Sequence, residues 1–163
     1  MNHVSENHLR KWLANVWKRG DADIGLQWIE PAAGSSIGFP DVLCPVWPSL
    51  LPVELKVAKR NAFDAFTCDV RPVQKRFHLM MERQNMFAAF LIATGDKESF
   101  DVWLCHAAFH PWENNATPGE TLIAGNQTTN ATVARVHLVH ELLNLMNKHD
   151  QVMLQIPGQH EIK

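Results

Sequence analysis

The chain has 163 residues, of which 46% are hydrophobic and 20% are charged. This length and balance predict one compact globular domain and exclude an intrinsically disordered protein. The formal net charge of −2 argues against a non-specific nucleic-acid-binding protein, although a global sum can hide a locally basic surface.

The first part of the chain predicts one helix followed by three short strands. Residues 5–19 place apolar side chains at helical spacing, which predicts an amphipathic helix. Residues 24–30 favour a strand. Residues 41–47 and 50–57 indicate two further strands joined by a Pro-Ser turn, and Pro45 predicts that the first of these is irregular or lies at a sheet edge.

A polar connection and a second helix follow these strands. Residues 58–71 favour a basic connection without regular structure. Pro72 is suited to the first turn of a helix that runs to about Gln84. Helical spacing predicts that the inward face of this helix consists of Val73, Phe77, Met80 and Met81.

The rest of the chain predicts two strands, a long loop and a third helix. The continuous apolar run 86–94 is typical of a buried central strand, and the alternation over 99–105 indicates a neighbouring one. Residues 106–130 are rich in turn-forming residues and predict a loop. The third helix is predicted over about 131–148, with an inward face of Val133, Val136, Val139, Leu143 and Met146.

The element order α-β-β-β-α-β-β-α predicts an α/β fold in which helices flank a mixed central sheet. We expect a single domain over residues 1–163, because no linker or repeat interrupts it. No apolar run is long enough to cross a bilayer and no secretory segment opens the chain, so we expect a cytoplasmic protein without a membrane partner (in the host cytoplasm if viral). The cysteines Cys44, Cys68 and Cys105 are expected to be unpaired.

The pattern that bears chemistry is GFPD at residues 38–41 followed by ELK at residues 54–56. Side chains two positions apart on a strand share a face, so Glu54 and Lys56 are expected to project together while Leu55 points into the core. Taken alone, most such strings belong to ordinary amphipathic strands.

An acidic residue at the start of the preceding strand favours a metal site over an ordinary amphipathic strand. If the two strands pair as a hairpin, Asp41 lies near Glu54, although the prolines around the turn leave their distance open. Two carboxylates at close range repel each other and need a cation, and their hard oxygens suit Mg²⁺ or Mn²⁺. Such an ion activates water and neutralises charge on a phosphate, while Lys56 positions the water or stabilises that charge.

The order GFPD then ELK resembles the PD-(D/E)XK nuclease superfamily. Region 38–94 in particular resembles the Holliday-junction resolvase-like and viral replication–repair nuclease (VRR-NUC) branches. In these branches a Gly-x-Pro-Asp segment leads to a Glu-x-Lys strand, then to a helix that opens with a glutamine and to an apolar strand. Here Gln74 opens the helix and the strand is 87–93. The similarity covers about a third of the chain and implies a restriction-endonuclease-like core.

This resemblance implies a divalent-metal-dependent DNA endonuclease that hydrolyses phosphodiester bonds and leaves 5′-phosphate ends. Asp41 and Glu54 would be metal ligands together with the backbone carbonyl of Leu55, and Lys56 would be the catalytic lysine. Gln74 would contact the metal-bound water or the scissile phosphate. The implied setting is recombination, repair or phage DNA processing, with branched DNA among the substrates.

A further acidic residue often joins such sites from the first helix, and Glu6 fits that place. An equally good interpretation is that Glu6 complements the dipole of the helix in its first turn. Glu30, at the end of the preceding predicted strand, competes for the same role.

The candidate DNA-binding residues lie in a locally basic stretch. Residues 56–76 contain six Lys or Arg and two Asp, although a solvated charged face would have the same composition. The phosphate-contacting candidates are Lys59, Arg60, Arg71, Lys75 and Arg76. A homodimer is a further expectation, because cutting a branched substrate symmetrically needs two sites related by a two-fold axis.

Two other interpretations remain open at the sequence level. The chain is either a DNA- or protein-binding member of the same fold that does not cleave, or an unrelated α/β domain in which GFPD and ELK occur by chance. Pairs such as His106 and His110 favour no known metal motif, and Trp47 or Trp112 would either stack on a base or pack in the core.

Overall fold

A computed structural model describes residues 3–18, 25–29, 38–46, 48–60, 66–112, 120–124 and 131–154. These ranges hold three helices and seven strands. In chain order they are α1 (Glu6–Lys18), β1 (Gln27–Trp28), β2 (Val42–Val46), β3 (Ser49–Arg60), β4 (Phe66–Cys68), α2 (Pro72–Arg83), β5 (Ala89–Asp96), β6 (Ser99–His106), β7 (Glu120–Ala124) and α3 (Ala131–Leu154). A 3-10 turn at Ala107–Phe109 follows β6.

The strands form one mixed sheet in the order β1-β2-β3-β5-β6-β7, with β4 paired to the end of β3. Strands β3 and β5 are parallel, and every other pairing is antiparallel. Because α2 lies between β3 and β5 in the chain, it makes the crossover that parallel neighbours require. The predicted α/β class with a mixed sheet and flanking helices is therefore confirmed.

The two faces of the sheet are covered by different helices. Leu9 of α1 and Leu138 of α3 are buried in one core cluster with Leu55 and Leu91. Residues that alternate with Leu91, including Phe90, belong to a second cluster that contains Met81 of α2. Since successive side chains on a strand point to opposite faces, Glu54 and Lys56 lie on the face that α2 covers.

Two strands occupy segments that the sequence predicted to be loop. Strand β3 continues to Arg60 and pairs with β4, so the prediction of an irregular connection over 58–71 is wrong in part. Buried Cys68 and Val70 drive this pairing, since both pack into the second core cluster. Strand β7 lies within the predicted loop 106–130, where it pairs with β6 and forms the end of the sheet.

The inward face of α2 is predicted only in part: Met81 is buried and Phe77 is partly buried as expected, but the centre of the face is rotated toward Gln74 and His78. The buried side chains are Gln74, His78 and Met81, at offsets of four and three residues. Met80, which was expected to face inward, is 51% exposed. The reason is that α2 covers the part of β3 that carries Glu54, so its polar residues rather than its bulkiest apolar ones turn inward.

Helix α3 is longer than predicted, and its inward face is predicted only in part. It runs to Leu154, and its buried residues are Ala134, Leu138 and Leu142. Val136, predicted to face inward, is 65% exposed, whereas Val139, Leu143 and Met146 are partly buried against the first core cluster. The predicted face is therefore turned by about one residue around the helix axis from the face that packs on the sheet. The side chain of Val133 lies outside the described residues.

The prediction that the strand containing Pro45 is irregular or lies at a sheet edge is wrong, because β2 lies between β1 and β3 and keeps a regular register with β3. Pro45 is tolerated there because, in the described part of the chain, β1 pairs only with Val42 and Leu43. All three cysteines are buried and none of them is in a disulfide, as expected. Among the described helices, none is long and apolar enough to cross a membrane.

Candidate active site

The hairpin of β2 and β3 brings the two predicted carboxylates together. Val42 pairs with Val53, so continuing the antiparallel register places Asp41 opposite Glu54. The Asp41 carboxylate accepts a 2.8 Å hydrogen bond from the backbone N–H of Leu55. The backbone carbonyl of Asp41 accepts from Ile29 N–H at 3.0 Å, so both sides of the residue are fixed.

The GFPD segment packs closely against the start of α2, and its glycine makes this close approach possible. A β-carbon added at Gly38 would lie 2.6 Å from the backbone nitrogen of Gln74 and would also collide with the Val73 carbonyl. Glycine is therefore required because two backbones approach closely, not because of a special backbone angle. This contact places Asp41, three residues later, beside the helix that carries Gln74.

Glu54 and Lys56 form a buried ion pair on the face of β3 under α2. The Glu54 side chain is fully buried, and its Oε1 lies 2.8 Å from Lys56 Nζ. The amide of Gln74 donates to the same carboxylate oxygen. Lys56 Nζ also lies 3.2 Å from Oε1 of Glu6, which reaches the site from the N-terminus of α1. The structure thus brings together Glu6, Asp41, Glu54, Lys56 and Gln74.

The electrostatics of the two carboxyl groups differ. Burial raises the pKa of Asp41 to about 6, with further repulsion from Glu54, against the opposing effects of Leu55 N–H and Lys56. Burial also acts to raise the pKa of Glu54, but the facing His78 and the Lys56 ammonium outweigh it and hold that pKa below its usual value. Of the two, Asp41 is therefore the carboxylate that is harder to ionise, and a nearby cation would relieve it.

His78 belongs to this site, and sequence reasoning missed it. It lies one turn after Gln74 on the buried face of α2, and its Nε2 is 3.9 Å from Glu54 Oε2. Neither ring nitrogen nor Glu54 Oε2 has a hydrogen-bond partner in the described part of the chain. The spacing of four residues puts Gln74 and His78 on one face of the helix, and this pattern could have indicated His78 from the sequence. Glu82, four residues after His78, turns away from the site and contacts His110 at 2.9 Å.

The remaining predicted residues lie around the start of α2 or outside the described ranges. Arg71 is the exposed N-cap residue of α2, and its backbone N–H donates to Gln74 Oε1 at 3.1 Å. Arg76 is exposed and Lys75 is half-buried on the same helix. The side chains of Lys59 and Arg60 are not among those described, and neither is any part of Glu30.

Of the two tryptophans that were candidates for base stacking, the structure describes one. Trp112 stacks on His110 with ring centroids 4.9 Å apart and packs against the second core cluster, which supports packing over base stacking. Trp47 lies outside the described residues.

The donor set fits a hard divalent cation. Asp41 and Glu54 provide carboxylate oxygens, and Glu54 Oε2 is a buried acceptor without a donor in the described ranges. Within those ranges no cluster of three or more His, Cys, Asp or Glu is arranged to hold a metal. Magnesium commonly binds through only one or two carboxylates and completes its shell with water and substrate phosphate, so two carboxylates suffice.

No protein-family model, curated protein or solved structure matches this chain. The assignment of a function therefore depends on the geometry of these side chains and on the order of the motifs.

Proposed function

We propose that this chain is a divalent-metal-dependent DNA endonuclease with a restriction-endonuclease-like core. The observation that carries the proposal is the meeting of Asp41, Glu54 and Lys56 at one point, where β2 and β3 pair. An amphipathic strand at the surface would expose its Glu-x-Lys pair, whereas here both side chains are buried under α2.

Asp41 and Glu54 would hold Mg²⁺ or Mn²⁺, with the Leu55 carbonyl as a further ligand. Leu55 supports this role because its N–H already points at Asp41, and the N–H and carbonyl of a strand residue leave the same edge. When bound, the ion supplies Lewis acidity and offsets negative charge on the scissile phosphate.

The side chains around the carboxylates would orient the reacting groups. Lys56 keeps its positive charge, because contact with Glu54 raises its pKa against the opposing effect of burial. Its ammonium is thus available to stabilise charge on the phosphate or to position the attacking water. Gln74 fixes the Glu54 carboxylate and stands at the start of α2. In the reaction water attacks phosphorus, and the bond to the 3′ oxygen breaks to leave a 5′-phosphate.

The basic residues at the start of α2 would contact the DNA backbone. Arg71, Lys75 and Arg76 lie in the first turns of a helix, where the helix dipole also favours phosphate. Lys59 and Arg60 at the end of β3 belong to the same proposal. If the substrate is a symmetric junction, two copies of the chain would act as a homodimer.

A cleavage panel tests this function. Four-way-junction, flap, duplex and single-stranded DNA are incubated with the protein in Mg²⁺, Mn²⁺ or EDTA. We expect metal-dependent cleavage of at least one substrate, loss of cleavage in Asp41→Asn, and retention in Asp96→Asn. Asp96 is a matched control, because it is an exposed aspartate at the far end of β5. Equal cleavage by a folded Asp41→Asn protein would contradict the assignment.

A non-cleaving DNA- or protein-binding member of the same fold is the second candidate. The observation in its favour is that Lys56 is already engaged by two carboxylates, so the network is partly satisfied without substrate. Binding of DNA without cleavage of any substrate in either metal would favour this candidate over the first.

A further inference from the structure

An apolar groove lies beside the candidate active site. It has a volume of about 680 Å³ and is bounded by the β2–β3 hairpin, the second half of α2 and the end of α3. Phe39 and Pro40, the two residues before Asp41, form part of its wall. Its described lining residues include Ser49, Asn85 and His149 as the polar members and contain no Asp, Glu, Lys or Arg.

Exposed apolar side chains concentrate in this groove. Five large apolar side chains are exposed among the described residues, and Phe39, Leu50, Met80 and Met86 line the groove. Single exposed apolar residues are common on proteins, but a contiguous set marks an interaction surface.

Methionines form the flexible part of the lining. Met80, Met81, Met86 and Met146 all contribute to it, out of six methionines in the chain. Unbranched thioether side chains adapt to the shape of an apolar ligand, and protein surfaces that receive amphipathic helices use them for this purpose.

The charges that share a face of α2 with Met80 are positive. Arg76 and Arg83 are exposed at four residues before and three residues after Met80, which places all three on one face of the helix. Glu82 is also exposed, but it is paired with His110. A nucleic-acid strand would bring a phosphate with every nucleotide, and the described groove lining offers no cation for it.

We propose that this groove binds an amphipathic helix of a partner protein. The apolar face of that helix enters the groove, and acidic residues on its flank face Arg83 in the last turn of α2. The described helices offer no second exposed apolar face that could act as this ligand, since their only large exposed apolar side chain outside the groove is Val136; pairing of the groove with the same groove of a second copy is an outcome of the test. The proposal does not depend on nuclease activity.

Two synthetic helical peptides of about 18 residues, roughly five turns, test this inference. Both carry Leu and Phe at one helical face, and they differ only in having Glu or Lys at the flanking positions. Binding of each labelled peptide to the whole protein is measured by fluorescence anisotropy. We expect the Glu peptide to bind at least roughly tenfold more tightly than the Lys peptide.

Three variants assign the binding to the groove. Met80→Glu is expected to abolish binding of the Glu peptide, and Arg83→Glu to reduce or reverse the preference between the two peptides. Val136→Glu is the matched control at an exposed apolar position on α3, and it should bind like the unmodified protein. Circular dichroism confirms that each variant is folded.

Other outcomes would overturn the proposal. Equal affinity for both peptides, or full binding by a folded Met80→Glu protein, would show that the groove does not select this ligand. A dimer in sedimentation analysis that Met80→Glu converts to monomer would assign the groove to a second copy of the chain instead.

Discussion

The carboxylate of Asp41 accepts a 2.8 Å hydrogen bond from the N–H of Leu55, the residue between Glu54 and Lys56. The side chain of Leu55 is buried in the first core cluster, while its backbone holds Asp41 at the edge of β3. The position of the acidic pair is therefore set by strand register and core packing, not by the carboxylates themselves. Changes at the site should then alter its charges without moving its backbone.

Replacing Asp41 by Asn should stabilise the protein at pH 8. Because the folded pKa of Asp41 is raised from 3.8 to about 6, the folded state binds more protons than the unfolded state between these values. Ionisation of Asp41 thus lowers stability as pH rises through about 6. Asn keeps an acceptor for Leu55 N–H but carries no charge. Thermal unfolding should show a higher Tm for Asp41→Asn at pH 8 and a smaller difference at pH 5. A variant with a lower Tm at both pH values would contradict the destabilising ionisation of Asp41.

Mg²⁺ or Mn²⁺ should raise the Tm of the unmodified protein. A cation between Asp41 and Glu54 offsets their repulsion, and a ligand that binds only the folded state stabilises it by mass action. EDTA should reverse the effect, and Asp41→Asn should show little of it. Titration calorimetry gives the affinity directly. The same metal-induced shift in Asp41→Asn would place the ion elsewhere.

Removing the charge of Lys56 alone should destabilise the fold. Lys56→Met leaves the fully buried Glu54 carboxylate with its closest cation missing, which typically costs about 3–5 kcal/mol. Adding Glu54→Gln to Lys56→Met should recover much of this loss, because no buried charge is then left unpaired. A double-mutant cycle by urea unfolding measures the coupling. Additive effects of the two substitutions would mean that the pair is not coupled.

Gly38→Ala should lower stability by about 1–3 kcal/mol, the usual range for forcing atoms into a packed site. The added β-carbon would meet backbone atoms of Val73 and Gln74, which cannot move away as a flexible side chain does. Gly25→Ala is the control, since nothing lies within 4 Å of its added β-carbon. Urea unfolding of both variants checks the difference. Equal stability of the two would mean that the GFPD segment does not pack against α2.

The strand that carries the motif could be predicted from sequence, whereas the helix face above it could not. Alternation around Leu55 was enough to put Glu54 and Lys56 on one side of β3. The face of α2 was predicted from its bulkiest apolar residues, but the helix covers a polar patch and buries Gln74 and His78 instead. That choice depends on tertiary packing, which periodicity alone does not contain.

The strands that were missed have a related cause. Strand β4 has three residues and β7 has five, too few for a clear alternating pattern. Each is stabilised by pairing with a long neighbour, β3 or β6, rather than by its own pattern. Glu6 was left undecided for a similar reason. Its contact with Lys56 spans 50 positions in the chain, and only the folded arrangement of α1 decides it.

The buried cysteines give each side of the sheet its own chemical reporter. Cys44 lies in the core cluster beneath α1 and α3, whereas Cys68 and Cys105 lie in the cluster beneath α2. Burial raises the pKa of Cys44 and of Cys68 to about 12, so neither forms an appreciable thiolate while it remains covered. The labelling rates of the individual thiols by an alkylating reagent therefore measure how often the helical layer on each side lifts away.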